Sequence, residues 1–471
     1  MVVRRGKPNF TEGPIFTRLL LFTLPIIATS LLSVIYHMAD NIVVGQFSGD
    51  NDALAAVGQT AAYSSLLVNL LLGISGGAGV VVAQLFGAGR REELSRAIRT
   101  SILISLVLGT IMAIFGLVAS RPILSIIIAE KNHAALLDKA TLYMLIVSAG
   151  LPGAALYQFA SAILRSLGDS RSPLIVGAAS GLLNVGLNLV FVICFNMSIA
   201  GVALATIISQ YLSSIVVTYL VMKNREDGVG FRISELMIDK RLLGRIFVCG
   251  VPASLKSAIF SLANMIMASA ISTFPVDTIS ANTIASNIDN ITYQCMNGFM
   301  SSVMTFVGQN YGAMKKDRIW KCLFYGMIQV TVIGIGVAWL ELALAEPLCQ
   351  LFIGDGVANP AVIIDKATEI MRSILIPYFI CGLMGVLSGF LRGMGNSIAP
   401  MIVAVSVVLV VRFTWIFCFF PMQPDSITWL YLCYPITWIL TLAIDLVIAI
   451  IETKKLDRIK VAEEKAVEAT V

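Results

Sequence analysis

Apolar residues run along this chain in stretches much longer than a soluble helix needs, each ended by a short cluster of Gly, Pro, Asn, Asp, Lys or Arg. Read by those runs and breakers, residues 16–47, 54–86, 95–120, 135–164, 173–195 and 199–222 form six helical spans. Residues 243–273, 279–311, 320–345, 362–391, 399–420 and 427–451 form six more. A helix needs roughly 20 apolar residues to cross about 30 Å of hydrocarbon. Several runs exceed that length, which predicts tilted helices reaching beyond the bilayer, with kinks at Pro25, Pro152, Pro252 and Pro377. Gly73, Gly76, Gly77 and Gly79 in the second span favour close helix packing. The fold class predicted is an all-α polytopic membrane protein with twelve transmembrane helices.

Composition then removes the soluble alternatives. Of the 471 residues 57% are hydrophobic and only 13% charged, more apolar sequence than a water-soluble core can use. The formal charge of +5 is spread over many short loops, so no basic patch or arm fits nucleic acid. With the N-terminus inside, the cytoplasmic segments hold most of the 33 Lys and Arg residues, while the opposite side keeps Arg121, Lys131, Lys139, Lys366 and Arg372. That separation follows the positive-inside rule and predicts both termini in the cytoplasm of a cell membrane. Eight cysteines, among them Cys194, Cys249, Cys295, Cys322 and Cys381, stand singly in apolar runs without a CxxC pair, and read as small core residues. The N-terminal stretch has no cleavage pattern, so the first span is expected to be retained.

The two halves repeat each other. AQLFGAGRREE near the end of the second span answers VGQNYGAMKKD near the end of the eighth, pairing Gln84 and Gly87 with Gln309 and Gly312. LRSLGDSRSP answers LRGMGNSIAP at nearly the same offset, pairing Arg165, Gly168, Ser170 and Pro173 with Arg392, Gly395, Ser397 and Pro400. Pro25 and Pro252 are separated by the same interval as Arg165 and Arg392. Six spans per half give the halves the same orientation, related by a pseudo-two-fold axis along the membrane normal. The predicted lobes are 1–233 and 234–453, divided by the loop 223–245, with a charged helical tail at 454–471.

MADNIVVGQFSG, QLFGAGRREE, LRSLGDSRSP, NVGLNLVFV and GVALATIIS, in this order, resemble the multidrug and toxic compound extrusion (MATE) family, and the resemblance covers nearly the whole chain. It implies export of amphipathic, often cationic compounds, coupled to inward movement of protons or sodium ions.

An ionisable group inside a membrane is costly, roughly 2.5–3.5 kcal/mol on insertion scales, and marks ion paths. Asp40 lies about six residues short of the outer end of its span, on the order of 9 Å deep. Asn188 in span five and Thr206 in span six reach about the same depth, and Asn184 shares the face of Asn188 one turn deeper. A carboxylate, two amides and a hydroxyl offer hard oxygens to a sodium ion, and the same carboxylate could instead carry a proton. The plainer alternatives are a headgroup-reaching Asp40 and interhelical hydrogen bonds for the other three. The resemblance points to the cation site, since the family's first-lobe site matches Asp40, Asn184, Asn188 and Thr206 residue by residue. Two departures weigh against sodium: some relatives carry Asp where this chain has Asn188, and another branch has a span-seven glutamate that is absent here. No other metal and no cofactor is expected. His37, three residues before Asp40, is a candidate modulator of its proton.

In the second half Lys256, Asp289 and Arg412 fall within spans, as a candidate substrate cavity or a fixed ion-pair network in which Asp289 is the acid open to both bases. The function expected is a proton- or sodium-coupled antiporter, working as a monomer among membrane lipids, that exports small amphipathic compounds by alternating access. A lipid-linked saccharide flippase of related architecture is the alternative, though twelve spans and Asp40 favour the antiporter. A membrane-embedded enzyme would need a catalytic constellation, and neither HExxH nor GxGD occurs. The only histidines are His37 and His133.

Overall fold

The structure, a computed structural model, describes residues 9–47, 51–128, 134–223, 230–353 and 359–468. Lys131 and His133 lie outside these residues, as do the end of the MADNIVVGQFSG motif and part of the dividing loop. Among the described residues no strand occurs. The first half contains α1 (Ile15–Phe47), α2 (Asn51–Gly87), α3 (Arg91–Ile127), α4 (Ala134–Ala149), α5 (Leu151–Ser166), α6 (Arg171–Leu189) and α7 (Ser198–Met222). The second contains α8 (Lys240–Ile271), α9 (Val276–Gly312), α10 (Lys316–Ala343), α11 (Ala345–Gln350), α12 (Pro360–Leu375), α13 (Tyr378–Gly393), α14 (Ile398–Thr414), α15 (Ile427–Tyr431) and α16 (Cys433–Glu468). Residues 454–468 of the charged tail continue α16 as a helix.

Nine helices among the described residues are long and apolar enough to cross a membrane. Two more spans are broken helices, α4 with α5 bent by 47° and α12 with α13 bent by 42°. The breaks fall at Pro152 and Pro377, as expected from a residue that cannot donate to the helical ladder. Pro25 and Pro252 lie inside α1 and α8, which run on as continuous helices. The twelfth span is α9, 37 residues long but interrupted by Asn, Ser, Thr and Asp on many turns. Twelve membrane helices account for the architecture.

The repeat is written into the backbone. Gly168 and Gly395 both hold positive φ, 91° and 94°, in the turns that follow α5 and α13. Gly89 and Met314, which occupy equivalent places after Gln84 and Gln309, do the same at 69° and 56°. Both α6 and α14 end in a π-helical turn, Val190–Cys194 and Trp415–Phe419.

By contact density the described residues form two compact units, one built on Ala28–Leu255 and the other on Phe10–Ile27 with Lys256 onward. In the first, Leu94, Ile98, Phe159, Ile163 and Ile246 form one apolar cluster and Leu67, Leu71, Leu137 and Met144 another. In the second, Phe10 stacks on Phe306 with ring centroids 3.8 Å apart, and Phe299 and Phe390 are fully buried. Large apolar side chains such as Val118, Leu182 and Val410 stay exposed on helix faces, as lipid-facing residues do.

The repeated glutamines have parallel uses. In the second unit Gln309 Oε1 accepts from the Phe10 amide at 3.0 Å, and Arg318 donates to the Phe10 carbonyl at 3.0 Å, so the lead-in to α1 is pinned at the end of α9. In the first unit Gln84 Oε1 accepts from Arg245 on α8 at 3.1 Å.

Candidate cation site

Asp40 sits seven residues before the end of α1, where the helix faces α6. Close approach is secured by Gly181 on α6, since a side chain there would overlap the Tyr36 ring, whose hydroxyl donates to the Ala178 carbonyl at 3.1 Å. The last turns of α6 carry Asn184 and Asn188, both buried, just before the π-helical turn. Such turns commonly sit beside functional residues because they re-aim side chains out of helical register.

All four residues expected at the site come together within the first unit. Asn188 Nδ2 donates to Asp40 Oδ1 and stands 3.5 Å from Asn184 Oδ1. Asn184 Nδ2 donates to Thr206 Oγ1 at 3.4 Å, and that hydroxyl donates to the Val202 carbonyl one turn back on α7 at 3.0 Å. The chain of polar groups therefore runs from α1 through α6 to α7. Asn188 is wholly buried, and its Oδ1 has no hydrogen-bond partner. An orphaned buried amide oxygen beside a carboxylate is an arrangement that a cation completes. Turning the amide over would aim that oxygen at Asp40, which is favourable only with a positive charge or a carboxyl proton between them. The donor set thus fits sodium or a proton. Tyr143 on α4, which sequence reasoning missed, lies within range of the Asp40 charge. His37 is exposed, and Asp40 takes its side-chain hydrogen bond from Asn188.

The second-half residues are arranged differently from expectation. Arg412 donates to Asn264 Oδ1 at 2.7 Å and lies over the Tyr434 ring at 4.5 Å. Lys256 reaches Ser388 Oγ at 3.5 Å and the Phe260 ring at 5.6 Å. Asp289 instead faces the Tyr378 hydroxyl, and among the described residues no ion pair joins it to either base. The expected network through Asp289 is therefore corrected: an amide, a hydroxyl and aromatic faces contact the two bases, and Arg412 Nε is left without a hydrogen bond. Two further acids were missed, Glu341 on α10 and Asp445 on α16, both buried. Asp445 is the acid whose charge reaches Lys256. Their signal was plain, a single acid inside each of the ninth and twelfth apolar runs.

The MatE family model matches residues 25–190 and again 252–417, so the family pattern occurs twice, opening at Pro25 in one half and at Pro252 in the other. This chain belongs to the MatE family. Its MatE relatives include a probable multidrug resistance protein NorM of Thermotoga maritima, 24% identical over 82% of this chain and 81% of that one. The multidrug export protein MepA of Staphylococcus aureus is also 24% identical, over 84% and 85% respectively. Among solved structures, a MOP superfamily transporter from Pyrococcus furiosus, described as having a binding pocket of reversed polarity, superposes with a TM-score of 0.88. It covers 96% of this chain and all of that one at 18% identity. An outward-facing multidrug resistance MATE transporter gives 0.87 at 19% identity over 96% and 99%. At such identities the superpositions establish the fold of this MatE chain.

Proposed function

We propose that this MatE protein is a proton- or sodium-coupled antiporter of the cell membrane, with both termini cytoplasmic, that exports amphipathic cationic compounds by alternating access between lobes 1–233 and 234–453. The observation that carries the reading is the hydrogen-bonded set of half-buried Asp40 and Thr206 with buried Asn188 and Asn184 on three helices, with a buried amide oxygen left open for a cation. Binding there neutralises Asp40 and alters how α1 packs against α6, so the ion gradient biases which side of the membrane the substrate reaches. Each inward charge adds about 2.3 kcal/mol per 100 mV. The multidrug names of the relatives support the substrate class.

The test is efflux of a fluorescent lipophilic cation from proteoliposomes under a proton or a sodium gradient imposed separately. Wild-type protein is expected to move dye under one gradient, and Asp40→Asn under neither. A second reading, a flippase for lipid-linked saccharides, draws on Lys256 and Arg412, which lie inside the second unit, form no ion pair with a carboxylate among the described residues, and are suited to an anionic headgroup. Dye that stays put under both gradients would favour that reading.

A further inference from the structure

The antiport site leaves one polar helix face of the second unit without a use. On α12, Ile363, Ala367, Ile370, Met371 and Ile374 are buried, and the helix packs against α9. The opposite face carries Asp365, Thr368, Glu369, Arg372 and Ile376 at helical spacing. With Thr428 of α15 across from them, these side chains line a cavity of about 470 Å³. A chain of bonds builds its wall: Lys366 donates to Glu369 Oε2 at 2.9 Å, the Thr428 hydroxyl donates to Glu369 Oε1 at 3.0 Å, and the Ser373 hydroxyl donates to Thr428 Oγ1 at 3.4 Å. Both oxygens of Glu369 are thereby engaged, and Arg372, one turn on, is left out. Among the described residues the side chains of Arg372 and Asp365 make no hydrogen bond or ion pair. They stand two turns apart, about 10.5 Å along the helix axis at 1.5 Å per residue. The cavity therefore presents a free guanidinium at one end and a free carboxylate at the other.

Its depth is marked by the next residue, Trp429, whose ring centroid lies 5.2 Å from that of Trp415 and whose Nε1 donates to the Phe419 carbonyl at 3.0 Å. Tryptophans gather at the headgroup level of membrane proteins. Because α15 stands at the end of α16 remote from the tail, this level belongs to the membrane face away from the C-terminus. We infer that the cavity binds a phosphoethanolamine diester, the headgroup of phosphatidylethanolamine, with the phosphate on Arg372 and the ammonium between Asp365 and Glu369. A guanidinium fork suits phosphate oxygens, and a primary ammonium has three N–H groups to give to the carboxylates and the Thr368 hydroxyl. Choline has no N–H to give and is held by aromatic cages, whereas none of the lining side chains is aromatic. A headgroup with phosphate alone would face the two carboxylates with nothing to offset them. Ile376, one turn beyond Arg372 and 59% exposed, offers an apolar contact where an acyl chain begins. Water-soluble glycerophosphoethanolamine carries the same diester, but headgroup depth favours the lipid. Which leaflet supplies that lipid rests on the proposed orientation; binding itself does not rest on drug export.

The experiment is native mass spectrometry of the purified full-length protein, titrated separately with phosphatidylethanolamine, phosphatidylcholine and phosphatidylglycerol of identical chains, and with glycerophosphoethanolamine. Wild-type protein is expected to retain one phosphatidylethanolamine at a concentration about tenfold below that needed for the other two lipids. Arg372→Gln removes the phosphate contact and is expected to raise the half-saturating concentration of phosphatidylethanolamine about tenfold. Asp365→Asn keeps that contact and is expected to narrow the gap between phosphatidylethanolamine and phosphatidylcholine. Both side chains are exposed, so neither substitution touches the packed core. Glycerophosphoethanolamine that binds as tightly as the lipid keeps the site and assigns it to the soluble diester; weaker binding assigns it to the lipid. Equal retention of the three lipids overturns the site, as does tighter retention of phosphatidylglycerol or a preference that survives both substitutions. Loss of the lipid preference leaves antiport through Asp40 standing, whereas dye efflux failing while the preference persists removes the export reading and keeps this site.

Discussion

At the scale of single residues, Asn188 does more than fill space between α1 and α6. It is wholly buried, donates to Asp40, and leaves its own oxygen unsatisfied. A hydrogen bond to a charged group contributes about 1.5–3 kcal/mol, so Asn188→Ala is expected to weaken the apparent affinity for the driving ion roughly tenfold or more. The measurement is the ion concentration that gives half-maximal dye efflux, and an unchanged value would reduce Asn188 to a packing residue. The four polar residues of this site were legible in the sequence because equal depth along neighbouring spans is a matter of counting. Their hydrogen-bond order was not, since helix rotation decides which neighbour Asn184 faces. Tyr143 was invisible for a related reason: a tyrosine in an apolar run looks like any core aromatic until α4 is seen to pass Asp40. The second-half bases misled by sign, because opposite charges at similar depth read as a pair. In the folded unit Arg412 meets Asn264 and the Tyr434 ring, and Lys256 meets Ser388 within reach of the Asp445 charge rather than that of Asp289.

Helices and turns separate two kinds of glycine that look alike in the sequence. On Gly77 of α2 an added Cβ would lie 2.5 Å from the Gly250 amide nitrogen and the Ile246 carbonyl oxygen, backbone atoms of α8 that no rotamer change can move. Gly89 has a positive φ, yet nothing lies within 4 Å of its Cβ position, and its repeat counterpart Met314 carries a side chain at nearly the same φ. Gly89→Ala is therefore expected to cost only the left-handed strain, about 1–2 kcal/mol, with transport retained. Gly77→Ala must part α2 from α8 and is expected to cost at least the roughly 1–3 kcal/mol of an overpacked core, with transport lost. Thermal unfolding of the purified proteins, paired with dye efflux, checks both, and equal losses in the two variants would contradict the assignment. Apolar run length located the spans well, since lipid imposes it directly. Pro152 and Pro377 break their helices, while Pro25 and Pro252 sit inside unbroken ones, because a missing amide donor permits a break but packing decides whether one occurs. The span that composition describes worst is α9, because polar residues such as Asp289 and Thr292 lower its hydropathy.

Across the whole molecule the sequence repeat and the compact units do not share boundaries. The family pattern begins anew at Pro252, but contact density assigns Phe10–Ile27 of α1 to the second unit and Lys240–Leu255 of α8 to the first. Each handover comes within a few residues of a repeat-related proline, Pro25 before Ala28 and Pro252 before Lys256. No propensity scale shows this, because it is a property of where lead-ins dock, Phe10 on Gln309 and Arg318 in one unit and Arg245 on Gln84 in the other. Alternating access, as proposed, demands bending in the helices that belong to both units, and a proline at the handover removes the one hydrogen bond that would stiffen it. Pro25→Ala and Pro252→Ala restore an amide donor and relieve an interior helix proline that costs about 3 kcal/mol in isolation. Both variants are expected to keep or raise the unfolding temperature while slowing dye efflux several-fold, with ion binding at Asp40 unchanged. Because the two prolines occupy equivalent places in the repeat, their effects on rate are expected to be similar in size. Efflux at the wild-type rate in both variants would show that α1 and α8 move as rigid rods and that the bending lies elsewhere, with the broken helices at Pro152 and Pro377 as the next joints to stiffen.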